Sequence, residues 1–129
     1  MSNASEFSLD RIGQIAIIVH DLDRAVAFYR DRLGARFLFQ VPKMAFFQCA
    51  DVTLMLGVPE SPEFDHPSSI IYFRVENIEQ AHETLAARGV EFRGGPHLVH
   101  RAADHELWMA FFRDSEGNTM ALQCRKPLG

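Results

Sequence analysis

A four-residue string occurs twice in this chain, as Met44-Ala45-Phe46-Phe47 and as Met109-Ala110-Phe111-Phe112. Each copy lies in an apolar run that meets a short polar stretch and then a second apolar run. After the first copy that run is Thr53-Leu54-Met55-Leu56, and after the second it is Thr119-Met120-Ala121-Leu122. Two aromatic or β-branched runs joined by a short turn read as a hairpin. The copies stand half a chain length apart, which points to one supersecondary unit made twice.

The flanking sequence follows the same plan in both halves. Residues 12–19 form an apolar, β-branched run that ends at His20-Asp21, long enough for one buried strand. Asp21 is placed to cap a helix whose apolar face is Leu22, Ala25, Val26, Tyr29 and Leu33, and Gly34 stops it. Residues 36–41 read as a strand, and Pro42-Lys43 as the turn into the first hairpin. Residues 59–67 carry three prolines without periodicity and read as a linker. The pattern then restarts: residues 70–75 are a strand, Asn77 with Gln80 resembles a capping box, Ile78, Ala81 and Leu85 mark a helical face, and Gly89 ends it. Val19 matches Val75, Ala25 matches Ala81, Arg32 matches Arg88, Gly34 matches Gly89 and Phe37 matches Phe92.

The expected fold class is therefore α+β, two tandem βαβββ modules. The expected division is a tail over residues 1–10, a first module over 11–58, a linker over 59–68 and a second module over 69–129, together one domain. Ser2-Asn3-Ala4 reads as the remnant of an expression tag. The halves differ most between Phe92 and Glu106. There the second half carries a long segment with His97, His100 and His105 where the first has only Pro42-Lys43, and it reads as an inserted polar loop. Long segments of this kind in a short-looped fold are disproportionately functional.

With 129 residues, 47% of them hydrophobic and 23% charged, the chain reads as a globular domain that needs no staples. A net charge of −4 and the lack of a basic run argue against nucleic acid as a partner. No apolar stretch is long enough to span a bilayer, and the expected location is cytoplasmic, with no membrane partner. Cys49 and Cys124 lack metal or redox spacing and read as buried free thiols.

The stretch Asp21-Leu22-Asp23-Arg24-Ala25-Val26-Ala27-Phe28-Tyr29 with Leu33-Gly34, together with Phe112-Arg113-Asp114-Ser115-Glu116-Gly117-Asn118, resembles the vicinal oxygen chelate superfamily. That superfamily contains glyoxalases, bleomycin-resistance proteins and extradiol dioxygenases. The resemblance implies a curved mixed sheet around a cleft, with helices on its outer face. It also implies a small-molecule ligand, pairing as a homodimer, and in many members a divalent metal held by one residue from the first and last strand of each module. The corresponding positions are Gln14, Met55, Ile70 and Ala121. Isoleucine and alanine offer no lone pair and methionine only a soft thioether, so no metal is expected at the usual positions.

Three readings stay open for His97, His100, His105 and Glu106: a solvated loop, ligand contact or proton transfer as catalytic residues in the cleft, and a displaced metal site using Gln14 and the three histidines. The cleft itself is expected to be lined by Gln14, Met55, Ile70, Trp108, Phe111 and Ala121. Two functions fit. One is binding of a small apolar or aromatic molecule without cofactor; the alternative is a metal-dependent lyase, isomerase or dioxygenase. The sequence leaves open whether the chain is an enzyme.

Overall fold

The computed structural model describes residues 7–128; the tag remnant expected at Ser2-Asn3-Ala4 lies outside the described residues. Strand β1 (Gln14–Ile18) leads into helix α1 (Leu22–Ala27). Asp21 caps α1 by accepting the backbone N–H of Arg24 at 3.1 Å, as the sequence predicts. The helix runs on through a π-helical turn, Phe28–Arg32, in which the N–H of Leu33 reaches back five residues to the Phe28 carbonyl at 3.1 Å. Gly34, at φ 73°, then reverses the chain. Strands β2 (Arg36–Val41), β3 (Met44–Cys49) and β4 (Val52–Gly57) complete a sheet in the order β1-β4-β3-β2. Its β1/β4 pair is parallel and the others are antiparallel.

After a short 3-10 turn at Pro62–Phe64 the plan repeats: β5 (Ile71–Arg74), α2 (Ile78–Ala87) capped by Asn77, β6 (Glu91–Phe92), β7 (His97–Arg101), β8 (His105–Arg113) and β9 (Thr119–Pro127). The second sheet has the order β5-β9-β8-β6, with β7 also on β8. The two modules thus form two mixed sheets with one helix packed on each, the α+β plan expected from the repeat.

The histidine segment corrects the sequence reading. It is not an inserted loop: His97–Arg101 is a strand, paired antiparallel with β8. β6 and β7 are one edge strand interrupted at Gly94-Gly95-Pro96, where Gly94 takes φ 85°. Leu98 and Val99 give the segment strand character, and β8 supplies the template. At nine residues β8 outruns the six-residue β3, and its first half needs a partner for its backbone groups.

The repeated tetrapeptide divides the two faces of its strand. Ala45 and Phe47, like Ala110 and Phe112, are buried beneath the helices, whereas Met44, Phe46, Met109 and Phe111 face the other way and are half-buried. The core is continuous across both modules. Tyr29 packs on Phe47 at a ring separation of 6.0 Å, and Phe92 on Phe112 at 5.4 Å. Polar contacts join the modules at several points, among them Glu116 of the second module accepting from His20, Asp21 and Arg24 of the first. The Tyr29 hydroxyl donates to Asp114 at 2.7 Å, and Asp114 also accepts the backbone N–H groups of Glu116 and Asn118 and the Asn118 amide. Burial, and then the Asp114 charge, push the Tyr29 phenol far above its usual range. Elsewhere, the ends of the two helices exchange hydrogen bonds through Arg32 and Arg88.

Candidate functional site

Each strand near the centre of a sheet offers alternate residues to its helix and to its open face. On the first sheet the open face carries Gln14, Ala16, Met55 and Phe46. The Gln14 amide N–H points to the Met55 sulfur at 3.6 Å, and Phe46 stacks on Phe39 at 4.5 Å. On the second sheet Tyr72 pairs with Ala121 and Ala121 with Phe111, so these three side chains stand together. The Tyr72 and Phe111 rings meet edge to face at 6.0 Å and cover Ala121 completely. Ile70 lies just before β5, two residues from Tyr72, and is 44% exposed. The expected cleft residues thus fall into two groups, Gln14 with Met55 on one sheet and Ile70, Phe111 and Ala121 on the other.

Trp108 is a correction. It alternates with Phe111 on β8 and shares the helix-side face with Ala110 and Phe112. Its indole N–H donates to Glu106 at 3.0 Å, and Lys126 sits 4.2 Å from its ring centroid. The two-residue period puts Trp108 and Phe111 on opposite faces of the strand, and the packed helices, which no local pattern locates, decide that Trp108 faces inward.

The loop candidates also separate by face. His97 pairs with Met109 and stacks on Phe111 at 6.1 Å, and His100 pairs with Leu107, so both belong to the open face. His105 shares that face with Leu107, two residues on, and its Nδ1 lies 2.8 Å from Asp104. Glu106 points to the opposite side, beside Trp108. The indole N–H and then Arg101, whose Nε donates at 2.9 Å, hold its carboxyl below the usual carboxylate range. A carboxylate tied in this way is an acceptor already in use.

A divalent ion needs several N, O or S donors around one point. At the four expected positions Ile70 and Ala121 carry none, and the Met55 thioether faces the Gln14 amide. Among the described residues no three His, Cys, Asp or Glu side chains converge on a point. The residues present do not fit the metal that the fold implies.

A family model described as the glyoxalase/bleomycin resistance protein/dioxygenase superfamily matches residues 11–122. The chain belongs to this superfamily. Among solved structures, it is 26% identical to a glyoxalase/bleomycin resistance protein/dioxygenase superfamily member from Sphaerobacter thermophilus, over 89% of this chain and 97% of that one, with a TM-score of 0.71. It is 24% identical to a lactoylglutathione lyase from Agrobacterium tumefaciens, over 90% and 94% of the two chains, with a TM-score of 0.72. A virulence protein from Salmonella typhimurium gives a TM-score of 0.74 at 19% identity, over 92% and 98% of the two chains. These likenesses locate the fold of the superfamily; one fold of this kind hosts many activities.

Sequence reasoning missed two features around this site. Tyr72 covers Ala121 but sits in a run that reads only as a buried strand. The second is a crevice of about 810 Å³ on the helix side of the sheets, lined by both modules, including Leu54, Phe73, Leu85, Phe112 and Leu122. No local pattern announces a cavity whose walls are so far apart in the chain. Among the described residues no helix is long and apolar enough to cross a membrane.

Proposed function

We propose that this superfamily member binds a small apolar or aromatic molecule on the open faces of its sheets without the metal common in the fold. The observation that carries the reading is the chemistry of the four metal positions, Gln14, Met55, Ile70 and Ala121, which together supply one amide and one thioether. Their surroundings suit an apolar guest instead. Phe46, Phe39, Tyr72 and Phe111 provide aromatic surface, Gln14 one polar anchor, and His97 a ring stacked on Phe111 at the edge.

The chain is further read as pairing with a second copy, which would bring the open face of one sheet against another. The half-exposed Phe39, Val41, Leu98 and Val99 on the outer strands β2 and β7 support this, because exposed apolar edge strands are usually covered.

The test is a thermal-shift and calorimetric panel of planar aromatic and apolar compounds against the wild-type chain and Phe111→Ala. Saturable binding that weakens at least tenfold in the variant is expected. Saturable binding by no compound, or binding indifferent to Phe111, would overturn the assignment.

A further inference from the structure

The crevice on the helix side stands back to back with the open face. In β4 Leu54 lines the crevice and Met55 the open face; in β8 the pair is Phe112 and Phe111, and in β9 it is Leu122 and Ala121. Because successive side chains leave a strand on opposite sides, the two sites share a backbone but no floor residue. Its volume of about 810 Å³ falls in the range of small-molecule sites.

Its charges are arranged along helix α2. Arg88 follows the C-terminal end of α2, with its guanidinium lying over Gly34, two residues from Arg36. Arg36 has no ion-pair partner among the described residues. Glu76 is the one carboxylate of the lining and lies at the other end of α2, about 15 Å away by the rise of a ten-residue helix. Between the two ends the floor is apolar. A guest with an anionic head and an apolar body meets two guanidinium groups at one end and Leu54, Phe73, Phe112 and Leu122 along its length.

We infer that this crevice is a second binding site, for an amphipathic monocarboxylate whose head group docks between Arg36 and Arg88. Cys49, which the sequence reads as buried, is exposed at the mouth of the crevice and gives a direct reporter, and Cys124, buried as expected, serves as the silent control.

The experiment measures the rate of Cys49 alkylation by iodoacetamide while decanoate is titrated in, with decanol as the uncharged match. Decanoate should slow Cys49 saturably, and decanol should need at least tenfold more. Arg36→Glu, which removes no hydrogen bond of the fold, and Arg36→Ala with Arg88→Ala should each abolish the preference for the acid. Phe111→Ala, on the reverse face, should leave the protection unchanged. No protection, equal protection by acid and alcohol, or protection lost in Phe111→Ala but kept in Arg36→Glu would each overturn the inference. The last result would move decanoate to the open face.

Discussion

Arg32 and Arg88 hold each other's turn. Arg32 Nη1 donates to the carbonyl of Gly89 at 3.3 Å, and Arg88 Nη1 donates to the carbonyl of Arg32 at 3.1 Å. The two arginines occupy matching places in the repeat, each just before the glycine that ends its module's helix. Each therefore supplies a cation to the carbonyl end of the other module's helix or turn. Replacing both with alanine should cost about 1–2 kcal/mol of stability, since a net hydrogen bond is worth roughly 1 kcal/mol. Denaturant titration of the single and double variants checks this. A cost below a few tenths of a kcal/mol would mean that the pair is solvated rather than joined.

The Tyr29–Asp114 contact is buried where the arginine pair is exposed, and its loss should be felt more. Tyr29→Phe removes one donor from a carboxylate that keeps three others, so a cost of about 1–3 kcal/mol is expected. Asp114→Ala removes all four bonds and leaves the Tyr29 hydroxyl without its acceptor, so a cost of roughly 3–5 kcal/mol is expected, as for other broken buried networks. Equal costs for the two variants would show that the turn holds itself without the carboxylate.

The repeated tetrapeptide makes a paired prediction. Phe47→Ala and Phe112→Ala empty the core and should each cost about 3–5 kcal/mol. Phe46→Ala and Phe111→Ala, one residue earlier on the open face, should cost less than half as much, and Phe111→Ala should lose ligand. Urea midpoints for the four variants distinguish the faces directly.

His20 ties the linker to the end of the second hairpin. The Asp65 carboxylate 2.9 Å away, and then Glu116, raise its pKa above the ordinary 6.5. Burial pushes the Glu116 carboxyl up, but the N–H groups of Asp21 and His20 and the Arg24 guanidinium outweigh it and hold the group charged. Because the folded value is raised, the contribution of these pairs is complete below pH 6.5 and fades as pH climbs through the raised value. An NMR titration should show His20 above its ordinary pKa in the wild-type chain and closer to it in Asp65→Asn. No difference between the two would place the cause elsewhere.

The repeat made the order of elements readable from sequence, because strand and helix periods, the caps at Asp21 and Asn77 and the glycine stops at Gly34 and Gly89 are local signals. Alternation separated Trp108 from Phe111, yet only the packed helix decides which of them faces the core. The His97–Arg101 strand was hidden by Gly94-Gly95-Pro96, which reads as a loop until β8 is seen to need a partner. The helix-side crevice is walled by residues distant in the chain and leaves no pattern in either half, and the π-helical turn at Phe28–Arg32 has no counterpart signal in the helical spacing of α1.

The central claim is that Gln14, Met55, Ile70 and Ala121 mark an apolar binding face and not a metal centre. The direct measurement is elemental analysis of protein purified without chelators, repeated after exposure to Zn²⁺, Ni²⁺, Mn²⁺ and Fe²⁺ and desalting. The account predicts no stoichiometric metal in any sample. One equivalent per chain, lost on replacing Gln14 or the three histidines with alanine, would contradict it and make the open face a metal site.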